Sequence, residues 1–307
     1  MTDTSRVIAV IDFGSNTLKL TVASVADDGT IETAIERSDT LRIGAGIEQT
    51  GRIDDERADR ALAVLAKFQQ LGEKAGAEAF IGVATEAFRV ATNGQDVLDR
   101  IASETRWQIA VISGDEEARL TFLGLAQYLP EHGSAAIVDV GGGSTEWIKA
   151  VDRVQVHAQS IPVGSGRLAD RFFSENPPTR ESLDLAANSA SAIFADSLAR
   201  LDPRVDVLYL SGGNGQYLER LRAEYAIGEA LSVGAITSVL ERLTQEPAEQ
   251  LAEMLDMQLE RARVLPAGAA IAFAAAKIST PTVIGAIPSG IRLGLLRDYL
   301  AGNVARS

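Results

Sequence analysis

The chain has 307 residues, beyond the size at which one hydrophobic core keeps growing, and its 23% charged and 46% apolar residues exclude a disordered protein. A net charge of −13 excludes a broad basic surface for nucleic acid, so any polyanionic ligand must be met locally by N–H groups, a metal or a few arginines. The absence of cysteine excludes disulfides and thiolate metal sites, and with only His132 and His157 as imidazoles a metal site favours magnesium over zinc.

Strand patterns fall at residues 6–12, 18–25, 31–37 and 40–45, with Asp27-Asp28-Gly29 marking a hairpin turn. Asp54 opens a periodic helix that places Ala58, Ala61, Leu62, Leu65, Phe68 and Leu71 on one face. A strand at 79–84, a helix near 94–105, a strand at 108–112 and a helix at 115–129 follow, so a mixed sheet covered by helices is expected. The order then restarts with strands at 135–140, 145–151 and 153–161 and a helix near 164–173. A long helix after Pro177-Pro178-Thr179 leads to a strand at 206–210, helices at 215–225, 232–243, 246–255 and 258–278, a strand at 282–286 and a helix at 291–301. The boundary between halves is expected near residues 130–133. Residues 264–276 are the longest apolar stretch, and Pro266 and Gly268 are expected to break it short of a membrane span. The amino terminus enters its first strand without the layout of a signal peptide, so a cytoplasmic protein with no membrane or nucleic-acid partner is expected.

One phrase is written twice. Ile8-Ala9-Val10-Ile11-Asp12-Phe13-Gly14-Ser15-Asn16-Thr17 returns about 127 residues later as Ala136-Ile137-Val138-Asp139-Val140-Gly141-Gly142-Gly143-Ser144-Thr145. Each copy is an apolar strand ending in an acid, then glycine, then amide or hydroxyl side chains, which suits a turn that offers backbone N–H groups to phosphate. Neither copy has the spacing of a P-loop or a dinucleotide fingerprint. Alone, such a turn is more often an ordinary connection than a phosphate cradle; their recurrence points to two facing domains around a phosphate-sized cleft.

These phrases, with Ala84-Thr85-Glu86-Ala87-Phe88-Arg89, Ile112 to Arg119, Pro162 to Leu168 and Arg263 to Gly268, resemble the Ppx/GppA family of exopolyphosphatases and guanosine pentaphosphate phosphohydrolases over essentially the whole chain. The resemblance implies an α/β fold of two actin-like domains, of the sugar kinase, Hsp70 and actin ATPase type, flanking a central cleft. The first would cover residues 1–130 and be joined by a carboxyl-terminal helical segment at 289–307; the second would cover 131–288. It further implies magnesium-dependent hydrolysis of the terminal phosphoanhydride of inorganic polyphosphate. Guanosine pentaphosphate hydrolysis, a kinase or ATPase of the same fold, and a non-catalytic polyphosphate or alarmone sensor are the alternatives. A homodimer is left open. The chain resembles the short form of the family, which implies a weak grip on long chains. Two departures stand out: Gln216-Tyr217 follow the third glycine turn, Ser211 to Gly215, where small residues are commoner, and Leu293 stands where an acid is common.

By this resemblance Glu117 is the base that activates water, and Glu146 assists the water or the metal. Glu116 is then a helix-start acid of the kind the helix dipole favours in any case. Asp12 and Asp139, at equivalent strand ends, would hold magnesium, although Asp also caps such turns locally. Gly14, Ser15, Asn16, Thr17, Gly141, Gly142, Gly143, Ser144 and Thr145 would cradle phosphate, with Arg89 as a planar fork for two oxygens. Arg167 suits an anion contact or a surface pair with Asp170. Lys19 fits either the cleft or a solvated strand face, while Trp107 and Trp147 read as aromatics packed on the sheets.

Overall fold

A computed structural model describes residues 6–303. Residues 1–5 and the end of the 289–307 segment, 304–307, lie outside the described residues. The first half runs β1 (Arg6–Phe13), β2 (Thr17–Val25), β3 (Ile31–Thr40), α1 (Ile47–Thr50), α2 (Asp55–Lys74), β4 (Ala79–Ala84), α3 (Glu86–Val90), α4 (Gly94–Glu104), β5 (Gln108–Val111) and α5 (Gly114–Leu125). The second runs β6 (Ser134–Val140), β7 (Thr145–Val151), β8 (Val154–Ile161), α6 (Ser165–Phe172), α7 (Arg180–Ser197), β9 (Val207–Ser211), α8 (Gly212–Glu224), α9 (Val233–Leu243), α10 (Ala248–Leu255), α11 (Leu259–Ser279), β10 (Val283–Ile287) and α12 (Ile291–Leu300).

The two sheets repeat one topology. The first has the order β3-β2-β1-β4-β5 and the second β8-β7-β6-β9-β10, with the first three strands of each antiparallel and the last two parallel additions. The central strands β1 and β6 are almost wholly buried because helices cover both faces of each sheet, which explains why they read as continuous apolar runs. Asp12 and Asp139 sit at the carboxyl ends of these strands, the position where open α/β sheets bind ligands.

Two local outcomes differ from the sequence expectations, and a third bears one out. Residues 40–45 do not form a strand of their own: β3 runs on to Thr40, and the N–H groups of Leu41, Arg42 and Gly44 bond to the carbonyls of Asn16 and Ser15. The segment is used to brace the first glycine turn. Residues 86–90, quoted only as a motif, form the short helix α3. The helix expected at 258–278 is realised as α11, which is continuous over 21 residues through Pro266 and Gly268. The lost hydrogen bond at Pro266 is outweighed by burial of nearly the whole helix between α7, α9 and α6. By length and composition α11 could cross a bilayer, but 78% of its apolar window is buried inside this protein, which makes it a core helix.

The last helix returns to the first half. Ile291, Leu295, Leu296 and Tyr299 of α12 join Ile8, Val10, Ile81, Val83 and Leu120 in one apolar cluster. Glycine makes the approach possible: a Cβ on Gly294 would overlap the Leu120 carbonyl, and one on Gly124 would overlap that of Gly290. Arg119 of α5 then clasps Asp298 of α12 with two bonds, 3.0 and 2.8 Å long. The helix that carries Glu117 is thereby held on its outer side.

Candidate active site

Both glycine turns close in the same way, with Gly14 N–H donating to Thr17 O at 3.2 Å and Gly141 N–H donating to Ser144 O at 2.9 Å. Their carbonyls are used up on the outer side. Those of Ser15 and Asn16 accept from the 41–44 segment, and those of Gly141 and Gly142 accept from the first turn of α6. Among the described residues, the N–H groups of Gly142, Gly143 and Ser144 have no acceptor in the protein, which leaves them for an anion. The triple glycine is a steric need: a Cβ on Gly142 would press on Asn16, and one on Gly143 would overlap Glu86. The two turns therefore touch, and Asn16 Nδ2 donates to Ser165 Oγ across the gap at 3.2 Å.

Between the turns lies a narrow cleft of about 80 Å³. It has room for a phosphoryl group and a few waters, well below the size of pockets that enclose whole small-molecule ligands. Asp12, Gly14, Ser15, Asn16, Thr17, Glu117, Asp139, Gly141, Gly142, Gly143, Ser144 and Glu146 all line it. Two of the residues expected there do not. Thr145 is fully buried and its hydroxyl donates to Val163 O at 2.5 Å, because strand alternation turns it away from the cleft. Arg89 stands behind Glu117, its Nη1 donating to Ile112 O at 2.7 Å and to Glu117 Oε2 at 3.0 Å. Its partners in the structure are thus a carbonyl and a carboxylate. The Ser15 hydroxyl is also engaged within its own half, donating to Glu86 and accepting from Ala87 N–H.

Glu117 arrives at the cleft because Ser113 caps α5, accepting from Glu116 N–H at 3.1 Å. Glu116 turns outward to Arg119, as a helix-start acid would. Burial pushes the Glu117 carboxyl up to about 7, the Arg89 guanidinium works against that rise, and the charges of Asp12 and Asp139 add to it. Burial also holds Glu146 well above the ordinary carboxylate range, joined by the charges of Glu117 and Asp139 and opposed by hydrogen bonds from Ser160 at 2.8 Å and Ser144 at 3.0 Å. Asp139 is raised by burial too, with Lys19 the main opposing influence. At neutral pH this leaves Glu117 poised between its two forms, beside a Glu146 carboxyl whose ionised form burial disfavours.

The cross-strand neighbours of the two aspartates differ in sign. Asp12 pairs with Lys19 across β1 and β2, whereas Asp139 pairs with Glu146 across β6 and β7. Lys19 Nζ lies 3.4 Å from Asp12 Oδ2, so of its two sequence readings the cleft is the one realised. Arg167 meets Glu86 and Glu48, not Asp170, which pairs with Arg42. Sequence reading missed Thr121 and Arg261, which also line the cleft. Thr121 sits one helical turn after Glu117, a spacing that could have exposed it; Arg261 lies just ahead of the recognised 263–268 segment.

Asp12, Glu117, Asp139 and Glu146 offer only oxygen donors, but among the described residues no three acids form a ready-made metal cage. This donor set suits magnesium, which takes one or two carboxylates and fills its other positions with water and phosphate oxygens.

The family model described as the Ppx/GppA phosphatase family matches residues 21–302. Exopolyphosphatase 1 of Mycobacterium leprae is 28% identical over 298 residues, covering 94% of this chain and 88% of that protein. The crystal structure of the Aquifex aeolicus Ppx/GppA family member superposes with a TM-score of 0.75 at 27% identity, covering 98% of this chain and 99% of its own. An exopolyphosphatase from Cytophaga hutchinsonii gives 0.84 at 26% identity, with 97% and 98% covered. With two duplicated sheets, two facing glycine turns and a family match across nearly its whole length, this chain belongs to the Ppx/GppA phosphatase family.

Proposed function

We propose that this protein is an exopolyphosphatase, which hydrolyses the terminal phosphoanhydride of inorganic polyphosphate and releases orthophosphate. The observation that carries the proposal is a carboxyl poised near 7, Glu117, in a phosphate-sized cleft between two N–H-bearing turns. A general base works best with a pKa near the working pH, so Glu117 suits removal of a proton from water. Arg89 engages Oε2 and leaves Oε1 as the oxygen that takes the proton. Arg89 is then a positioning residue, which orients the base and keeps part of it ionised.

The unpaired N–H groups of Gly142, Gly143 and Ser144 would hold the phosphoryl oxygens, aided by Lys19, and the closeness of the turns would restrict water to the attacking molecule. Glu146, fixed by hydrogen bonds from Ser144 and Ser160, would assist the water or the metal. Asp12 and Asp139 would hold magnesium, which when bound supplies neutralising charge to the phosphoryl oxygens. In this reading the paired sheets are the actin-like ATPase architecture, divided near residue 130, with α12 completing the first domain.

Phosphate release should be measured side by side from short polyphosphate, long polyphosphate, guanosine pentaphosphate and ATP, with magnesium and with chelator. Release from polyphosphate that depends on magnesium is expected. Release from ATP alone would overturn the proposal, and faster release from guanosine pentaphosphate would move the assignment to that substrate.

A further inference from the structure

Glu86 is the first residue of α3 and is buried, yet it lines no part of the cleft between the glycine turns. It lines instead a smaller cavity of about 30 Å³ that shares Ser15, Asn16, Gly142 and Gly143 with the cleft. Its two oxygens go to opposite halves of the molecule. Oε2 accepts from Ser15 Oγ of the first turn at 3.2 Å, and Oε1 accepts from Arg167 Nη2 of α6 in the second half. Gly143 of the second turn packs directly on the carboxylate, since a Cβ there would overlap it. A single charged group thus touches both turns.

The partners on each side are themselves fixed. Ala87 N–H donates to Ser15 Oγ at 3.1 Å, which leaves the hydroxyl proton for Glu86. On the other side, α6 is tied to the second turn through its backbone. Ser165 and Gly166 N–H donate to the carbonyls of Gly141 and Gly142, both at 2.9 Å, and Arg167 N–H donates to Gly142 O at 3.2 Å. The Arg167 guanidinium therefore moves with that turn. Its Nε meets Glu48 of α1 at 3.2 Å, so two carboxylates of the first half occupy it. The other direct tie at the turns, Asn16 to Ser165, joins neutral groups, and a charge-assisted bond is roughly twice as strong. Removal of either charge would leave the other without its partner across the halves.

We propose that Glu86 is a positioning residue, which acts through Ser15 and Arg167 to hold the two turns at the separation that grips one phosphoryl group. It does not itself touch phosphate. Once this clamp is released, fewer molecules have their turns correctly spaced, and the apparent affinity for phosphate falls by the same factor. Saturating ligand restores the spacing, so turnover at saturation is affected far less. The proposal rests on the hydrolase reading above for its ligand, a terminal phosphate, but its test reads binding separately from turnover.

Glu86→Gln keeps the shape of the side chain and leaves Arg167 its Glu48 partner, so it should fold. Arg167→Met strands a buried carboxylate; if it fails to fold, the double variant carries the comparison. Titration calorimetry with tripolyphosphate and magnesium, beside steady-state phosphate release, compares the parent with Glu86→Gln, Arg167→Met and the double variant. Each single variant is expected to weaken tripolyphosphate about tenfold, with the double variant no weaker than either. KM should rise by a similar factor with kcat changed far less. Tighter binding by Glu86→Gln would overturn the clamp, because it would mean that Glu86 keeps Arg167 away from phosphate. Losses that multiply in the double variant, unchanged affinity, or a fall in kcat at unchanged KM would overturn it too. The expected affinity pattern in a parent that releases no phosphate would uphold the clamp and contradict the hydrolase reading instead.

Discussion

At the scale of single residues, the site is a problem of uncompensated charge. Asp12, Glu117, Asp139 and Glu146 share one cleft with three nearby cations, Lys19, Arg89 and Arg261, and burial raises the Glu117, Asp139 and Glu146 carboxyls above their ordinary range. Glu117 has a folded-state pKa raised from 4.5 to about 7, so between those values the native state binds a proton that the unfolded chain has released. Native stability therefore falls as pH rises through that window. Glu117→Gln removes this cost, and the variant is expected to be more stable than the parent at pH 8, by on the order of 2 kcal/mol, with no gain near pH 4. Urea denaturation at the two pH values checks this; equal stability at pH 8 would place the carboxyl in a wetter setting than the one described. Asp12 and Asp139 were legible as cleft residues because strand ends fix where they point, whereas Glu117 and Glu146 were singled out only through the family resemblance. The sign change between Lys19 and Glu146 carries no such local signal, since both follow a glycine turn on a strand and only cross-strand register reveals that they face equivalent aspartates.

At the scale of elements, most strands and helices were legible because burial on both sheet faces and clear helical periodicity leave few alternatives. The failures share a cause. The 41–44 segment was misread because its backbone groups are settled by a partner distant in sequence, the first turn. The Arg89 contact with Glu117 is hidden for the same reason: its motif marks the site, but the two residues are 28 apart in sequence and meet only in the fold. The α5 and α12 contact carries a further expectation. Gly294→Val would force a side chain against the Leu120 carbonyl and should cost about 1–3 kcal/mol by overpacking. Because α5 also carries Glu117, turnover should fall with KM little changed. A variant that loses stability but keeps full turnover would show that α12 supports the fold alone.

At the scale of the whole molecule, the duplicated sheets and the helix between them have different tasks. In the proposed function the turns, one from each half, would supply binding; α5, which ends the first half, would supply the base and is braced from behind by the last helix. Contacts that tie the halves together surround the cleft: Arg167 to Glu86 and Glu48, Arg42 to Asp170, and Thr40 N–H to Gln258 at 2.6 Å. If binding and proton removal are separately located in this way, Glu117→Gln should part them. Phosphate release from polyphosphate with magnesium, measured beside polyphosphate affinity, is the direct test. The expected result is release lowered about 10²- to 10⁴-fold with affinity unchanged; release within a few-fold of the parent would contradict the assignment of Glu117 as the base.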